Sequence, residues 1–167
     1  MIKKDLKVAV LGAGAMGCLF GGLLAEKGLD VSLIDVWKEH VEAINKNGLK
    51  MDGHGGDRFI KIKATVDPKT LDKVDAIIIM CKATALEQAL INSKNIIGDN
   101  TVLMSFQNGI GHEAIMQKIA GKEKVLGGTT TQAANIIGPG NIKNHASLPS
   151  WIGEYEGGMS DRVNDVA

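Results

Sequence analysis

The order of hydrophobic and polar positions predicts strands and helices in alternation through most of the chain. Each short apolar run ends at a glycine or a polar residue and is followed by a segment with apolar residues at helical spacing. Gly48 comes directly after one such segment, at the position where many helices end. The predicted strands cover residues 6–11, 30–35, 74–80, 101–106 and 124–134, and the predicted helices cover residues 15–27, 38–47, 84–95 and 112–119. This alternation predicts an α/β fold with a mostly parallel sheet.

Three other segments lack this alternation. Residues 49–66 are rich in glycine between two short extended runs, which predicts a hairpin or a crossover decoration. From Asn135 onward, short extended pieces are joined by turns without a helix, and we expect them to add antiparallel strands at the edge of the sheet. Residues 160–167 begin like a helix with Ser160 as its N-cap. Because so short a helix is not stable alone, we expect the chain to end before its natural carboxyl terminus.

Composition and charge argue against several classes of protein. The chain has 167 residues, the length of one ordinary domain, with 19 basic and 19 acidic residues. It has no basic cluster that would attract nucleic acid or an anionic membrane, and only 4% of its residues are aromatic and able to stack on bases. We therefore expect neither nucleic acid nor a membrane as a partner.

The cysteines and histidines indicate a reducing environment and no metal site. Cys18 and Cys81 lie far apart, and the four histidines are scattered singly without a partner at zinc-ligand spacing. We expect a cytoplasmic protein. The uncharged run over residues 8–25 follows several lysines and has the outline of a signal peptide or a membrane anchor. A strand, a tight turn and a helix explain the glycines of this run better.

Residues 12–17 match the dinucleotide-binding pattern G-x-G-x-x-G between a predicted strand and a predicted helix. The first glycine permits the tight turn, the second lets the backbone approach a pyrophosphate, and the third lets the helix pack closely on the strand. The helix N-terminus offers amide donors to phosphates. A tight turn without a ligand is the alternative. With the alternation above, the motif predicts a Rossmann-type, doubly wound sheet. The residues expected to bind the pyrophosphate are Gly12, Ala13, Gly14, Ala15, Met16 and Gly17.

Other candidate ligands follow the predicted strands at their carboxyl ends, where doubly wound sheets bind ligands. Asp35 can accept hydrogen bonds from both hydroxyls of the adenosine ribose, and its charge repels a 2′-phosphate. This favours NADH, although Lys38 offers a compensating charge for NADPH. Lys82 can neutralise phosphate or contact the ribose, and Asn108 can hold the nicotinamide ribose or a substrate oxygen. The alternatives are a solvated aspartate, a solvated lysine and an Asn-Gly turn.

Four motifs in chain order resemble the N-terminal nucleotide-binding domain of the ketopantoate reductase (2-dehydropantoate 2-reductase) family. They are LKVAVLGAGAMGCLFGGLLAEKG at 6–28, CKA at 81–83, QNGIG at 107–111 and LGGTTTQAA at 126–134. The resemblance implies reduction of 2-dehydropantoate to pantoate with NADPH or NADH, for pantothenate and coenzyme A synthesis. It implies that Lys82 serves the adenosine phosphate or ribose, and that Asn108 and Ala134 lie beside the nicotinamide half.

The chain departs from that family's pattern at two places. Family members usually bind NADPH, often with an arginine after the second strand, where this chain has Asp35-Val36-Trp37. The catalytic lysine and glutamate of the family belong to a helical C-terminal domain that these 167 residues lack. We therefore expect one cofactor-binding domain over residues 1–167, with no catalytic residue and no activity alone.

Several functions remain as alternatives beside reduction of this small 2-oxo acid. The chain could serve a dehydrogenase of another 2-oxo or 3-hydroxy acid. It could also be a stand-alone dinucleotide-binding redox sensor or a partner subunit, because a fold alone does not fix a function. A homodimer is an assembly that the sequence leaves open.

Overall fold

The computed structural model describes residues 6–167, in which strands and helices alternate as far as Thr130 except over residues 49–79, where four strands follow one another with no α-helix between them. The strands are β1 (Lys7–Leu11), β2 (Asp30–Ile34), β3 (Leu49–Gly53), β4 (Arg58–Ile60), β5 (Lys63–Thr65), β6 (Val74–Ile79), β7 (Ile97–Ser105), β8 (Val125–Thr130), β9 (Ala134–Gly138), β10 (Asn141–Asn144) and β11 (Ser150–Glu154). The helices are α1 (Ala15–Glu26), α2 (Lys38–Asn47), α3 (Leu86–Asn92), α4 (His112–Ala120) and α5 (Asp161–Val166). Helix α3 is shorter than predicted because 3-10 turns flank it on both sides.

The larger sheet has the strand order β11-β8-β7-β6-β1-β2-β5. All neighbours in it are parallel except β8 and β11, which are antiparallel. The chain runs outward from β1 through β2 to β5 and then returns to the other side of β1 with β6. This reversal of strand order creates a crevice at the carboxyl ends of β1 and β6, where such sheets bind ligands. The predicted doubly wound sheet with an antiparallel edge strand is confirmed.

A second, smaller sheet has the order β4-β3-β10-β9, and it corrects two predictions. The strand predicted over residues 124–134 ends at Thr130, and Ala134 begins β9 in the smaller sheet. Strands β9 and β10 do not extend the larger sheet; only β11 does. The reason is that β10 pairs in parallel with β3 and buries Ile142 beside Met51, which covers the apolar side of the β3–β4 hairpin.

The core lies on both faces of the larger sheet. On one face, alternate residues of the strands pack with α1 and the smaller sheet, and on the other they pack with α3 and α4. Helix α1 approaches the strands closely because Gly21 and Gly22 leave room for neighbours: a Cβ at Gly21 would lie 2.6 Å from Leu33 Cδ2. The uncharged run over residues 8–25 is therefore a buried strand followed by a buried helix. Within residues 6–167, no helix is long and apolar enough to cross a membrane.

Helix α5 is fastened to β11 by polar contacts. The Ser160 hydroxyl accepts a hydrogen bond from the Val163 backbone N–H, which confirms the predicted N-cap. Arg162 Nε donates to Glu154 Oε1 at 2.8 Å. The guanidinium of Arg162 and the hydroxyl of Ser160 lower the pKa of Glu154 to about 2.

Candidate dinucleotide site

The turn between β1 and α1 needs glycine at two of its three motif positions for packing alone. Gly12 has φ +100°, and a Cβ there would lie 2.4 Å from the backbone nitrogen of Cys81. A Cβ at Gly17 would lie 1.9 Å from the carbonyl oxygen of Gly12. Helix α1 can start directly on the end of β1 only because both side chains are missing.

Gly14 differs from these two because the fold does not require it. Its φ of −64° suits any residue, and a Cβ there would meet nothing within 4 Å. It is the N-cap of α1, no side chain caps the helix, and the first turn has no acidic residue. The first amides of α1 therefore have no capping side chain, and the space beside Gly14 is open, which is an arrangement that suits a phosphate group.

Asp35 holds this turn in place from the end of β2. Its Oδ2 accepts a hydrogen bond from the Ala13 backbone N–H at 2.7 Å, and its Oδ1 accepts one from the Trp37 N–H at 3.0 Å. The partly buried carboxylate is thus part of the loop structure and not a freely solvated strand-end group. A carboxylate has about four lone-pair sites, so both oxygens keep capacity for the ribose hydroxyls.

A buried pair, Cys18 and His40, lies behind the turn and was not predicted. Cys18 Sγ lies 3.1 Å from the Ala13 carbonyl oxygen and 3.2 Å from His40 Nε2. The backbone N–H of Gly140 donates to His40 Nδ1 at 3.0 Å. Burial raises the pKa of Cys18 to about 12, and burial lowers the pKa of His40 against the opposing effect of the Asp35 charge. Nothing in the sequence pattern indicated this pair, because its members come from separate segments.

An apolar crevice of about 140 Å³ continues from the turn toward α3. The sequence pattern did not single out the residues of its walls, although Val36 and Val66 each follow a strand of the sheet. Val36 is 90% exposed, and its apolar side chain stands at this crevice. The side chain of the neighbouring Trp37 stacks on the His40 ring, with the two ring centroids 4.8 Å apart. The walls, which suit the flat face of an aromatic ring such as a purine base, are formed mainly by Ile34, Val36, Val66, Pro68, Ala85 and Ala89.

Lys82 and Asn108 extend the site along the same edge of the sheet. Lys82 is exposed after β6, next to the Cys81 backbone on which Gly12 packs. Asn108 is exposed after β7, and its carbonyl oxygen lies 2.8 Å from His112 Nε2. The turn at Asn108 is real, since Gly109 follows it with φ +104°. Asn108 can therefore form a turn with its backbone and still be available for binding through its side chain.

Ala134 belongs to the smaller sheet, and a separate apolar cavity lies apart from the glycine turn. Ala134 begins β9, a strand that packs against α1. The cavity, of about 420 Å³, lies between α1, β11 and α5, and neither the glycine turn nor Asp35 lines it. Among residues 6–167, no cluster of three or more His, Cys, Asp and Glu side chains could hold a metal ion.

Comparison with known proteins agrees with this geometry. The model of the family described as ketopantoate reductase PanE/ApbA matches residues 8–157. The chain belongs to the ketopantoate reductase family. The family match confirms the predicted resemblance. The predicted Rossmann-type fold of the chain is confirmed as well.

The curated relatives that this chain resembles are longer than the chain itself. The 2-dehydropantoate 2-reductase of Pyrococcus horikoshii is 40% identical over 161 residues, which are 96% of this chain and 52% of that protein. The 2-dehydropantoate 2-reductase of Lactococcus lactis is 35% identical over 140 residues, 83% of this chain and 45% of that protein. The chain thus spans about half the length of these relatives.

Two solved structures extend the comparison. The 2-dehydropantoate 2-reductase of Geobacter metallireducens has a TM-score of 0.89 at 27% identity, over 97% of this chain and 54% of that one. A D-mandelate dehydrogenase in a ternary structure with NADH and anilino(oxo)acetate has a TM-score of 0.85 at 35% identity, over 93% of this chain and 49% of that one. The fold of this family member therefore occurs in proteins named for two different substrates, 2-dehydropantoate and D-mandelate.

Proposed function

We propose that this chain is the cofactor-binding part of an NAD(P)H-dependent oxidoreductase that reduces 2-dehydropantoate to pantoate. The observation that carries the proposal is Gly14, whose side-chain position opens onto the uncapped N-terminus of α1 although the fold does not demand glycine there. The names of the relatives at 35–40% identity support 2-dehydropantoate as the substrate.

Each part of the dinucleotide has a group of residues that suits it. The backbone over residues 12–17 would bind the pyrophosphate, the crevice at Val36 would hold the adenine, and Asp35 would bind the ribose hydroxyls. Lys82 would contact the adenosine ribose or a phosphate. Asn108 and Ala134 would lie on the nicotinamide side, with Asn108 also able to donate to a substrate oxygen.

The cofactor supplies the hydride, and this chain supplies binding and orientation. We assign no catalytic residue within it. We propose that a helical second domain of the intact protein closes the cleft and donates the proton, in keeping with relatives that are about twice as long.

We propose that NADH binds more tightly than NADPH. The Asp35 carboxylate is fixed by the Ala13 and Trp37 amides, so it has no free rotation away from an incoming 2′-phosphate. A second anion at this distance would be repelled in a partly buried site. The D-mandelate dehydrogenase whose structure contains NADH is 35% identical to this chain, which also supports this preference.

A second substrate class is favoured by the same relative. D-mandelate dehydrogenase is named for an aryl 2-hydroxy acid, and its fold matches this chain as well as that of the pantoate enzymes does. Reduction of an aromatic 2-oxo acid is therefore our second candidate.

A reducing, cytoplasmic location and a homodimer stay predictions. The free thiols of Cys18 and Cys81 fit the predicted location, and sedimentation of the chain would test the predicted homodimer.

The test is a calorimetric titration of the chain with NADH and with NADPH, beside turnover assays with 2-dehydropantoate and phenylglyoxylate. We expect NADH to bind, NADPH to bind more weakly, and neither 2-oxo acid to be reduced by this chain alone. In the full-length protein, faster reduction of 2-dehydropantoate would support the first substrate, and faster reduction of phenylglyoxylate the second. Failure of both nucleotides to bind would contradict the proposed function.

A further inference from the structure

A continuous chain of hydrogen bonds connects the smaller sheet to the glycine turn through two buried side chains. The Gly140 N–H donates to His40 Nδ1 at 3.0 Å, so the neutral imidazole carries its proton on Nε2. That nitrogen lies 3.2 Å from Cys18 Sγ, which can accept a hydrogen bond from the Nε2–H. The thiol in turn donates to the Ala13 carbonyl oxygen at 3.1 Å.

A cysteine beside a histidine is also the arrangement of a nucleophile, but this pair does not fit that role. Both side chains have no exposed surface. Burial keeps the thiol protonated by raising the pKa of Cys18, and it favours neutral His40 by lowering its pKa. A reactive cysteine needs an accessible thiolate, which this environment disfavours. The pair therefore acts through the hydrogen bonds that it makes.

The atom that the pair holds determines the direction of a neighbouring donor. The Ala13 carbonyl and the Gly14 N–H belong to one planar trans peptide and point in opposite directions. Cys18 holds that carbonyl oxygen toward the protein interior, so the Gly14 N–H points the other way. That is the amide of the position whose side-chain direction is empty and where α1 has no side-chain cap.

We propose that Cys18 and His40 are positioning residues for the dinucleotide: they orient the Ala13–Gly14 peptide so that the Gly14 N–H is aimed at the pyrophosphate. This inference rests on the proposed function. It also gives the smaller sheet a role, since the turn between β9 and β10 supplies the Gly140 N–H that fixes the imidazole. That turn sits tightly on α2, where a Cβ at Gly140 would lie 2.9 Å from Ala43 Cβ.

The first test compares Cys18→Ser with Cys18→Ala. Serine keeps a hydroxyl donor for the Ala13 carbonyl, and alanine removes it. We expect the Kd for NADH to rise about tenfold in Cys18→Ala, the effect of losing roughly one hydrogen bond, and to change less than about threefold in Cys18→Ser. Equal Kd values in the two variants would overturn the proposal.

The second test compares His40→Phe with His40→Gln. Phenylalanine keeps a flat ring against Trp37 but makes neither hydrogen bond, whereas the glutamine amide can still donate toward Cys18 Sγ. We expect weaker NADH binding in His40→Phe and recovery of most of the affinity in His40→Gln. Ile142→Val, a buried change in β10, serves as the control: it should lower the melting temperature and leave the Kd unchanged.

A ligand-free measurement separates this inference from the proposed function. Nitrogen NMR shifts of the imidazole should report the tautomer with the proton on Nε2, and the Gly14 amide signal, which reports the orientation of the Ala13–Gly14 peptide, should move further from its wild-type position in His40→Phe than in Ile142→Val. A proton on Nδ1, or a Gly14 signal that moves no further in His40→Phe than in the control, would overturn the inference even if NADH binds. If the wild-type chain binds neither nucleotide while both NMR results hold, it is the proposed function that fails.

Discussion

The two ends of the candidate cofactor site are built in opposite ways. At the adenosine end, Ala13 is 1% exposed and both its backbone groups are held, the N–H by Asp35 and the carbonyl by Cys18. At the other end, the loop over residues 107–111 is mostly exposed, and Ile110 is 98% exposed. Two glycines with positive φ shape that loop, and the Gln107 side chain ties its start to the Cys81 carbonyl.

This difference predicts that the two ends of the site contribute unequally to the affinity for the cofactor. A site whose donors are already oriented loses little entropy when the ligand arrives, so the adenosine end should supply most of the affinity. The exposed loop has fewer fixed groups and should add little affinity in this chain. Substitutions at the two ends should therefore differ in size and in kind.

The largest effect should come from Gly17→Ala, because its Cβ would lie 1.9 Å from the carbonyl oxygen of Gly12. Backbone cannot yield there as a flexible side chain could, and we expect a loss of about 3 kcal/mol or more of unfolding free energy. Urea unfolding followed by circular dichroism would measure it. A variant as stable as the wild type would show that the turn is not as tight as described.

Gly14→Val should affect binding without affecting folding. A side chain there meets no protein atom, but it would occupy the space from which a pyrophosphate approaches. We expect the melting temperature to stay near the wild-type value and the Kd for NADH to rise at least about 100-fold, or roughly 2.7 kcal/mol. Unchanged affinity would remove the phosphate-binding role of this turn.

Asp35→Ala should change the selectivity between nucleotides. We expect weaker binding of both, since the Ala13 N–H loses its acceptor, and a smaller preference for NADH over NADPH, since the charge that repels a 2′-phosphate is gone. The ratio of the two Kd values, measured by calorimetry, is the readout. If that ratio stays constant, Asp35 does not read the ribose.

Asn108→Ala should have the smallest effect on this chain. The side chain lies on the exposed loop, and we expect the Kd for NADH to change by less than about threefold, below roughly 0.7 kcal/mol. The same substitution in the full-length protein should instead lower kcat/KM. A loss of NADH affinity as large as that of Gly14→Val would break the contrast between the two ends.

The local patterns predicted much of the fold. The alternation of strand and helix signals located the parallel sheet, and α2 has the predicted bounds because Gly48 ends it. The smaller sheet escaped prediction because β10 pairs with β3 about 90 residues earlier, and no local pattern encodes such a pairing. The strand predicted over residues 124–134 is too long because residues 131–134 contain no glycine, proline, asparagine or aspartate to signal a turn, although the chain leaves the larger sheet after Thr130.

The candidate site divides along the same line. The glycine pattern and the strand-end position of Asp35 are local signals, and both pointed to the turn that the structure describes. The contacts that hold this turn join residues 22 positions apart for Cys18 and His40 and 100 apart for His40 and Gly140. A single histidine on the buried side of α2 carries no sign of such a partner.

The most direct test of the contrast is to follow the backbone amide signals of the chain by NMR while NADH is added. The account predicts the largest shifts at residues 12–17 and at Val36, and small shifts over residues 108–111. Shifts centred instead on the apolar cavity at Trp151, with residues 12–17 unmoved, would contradict it.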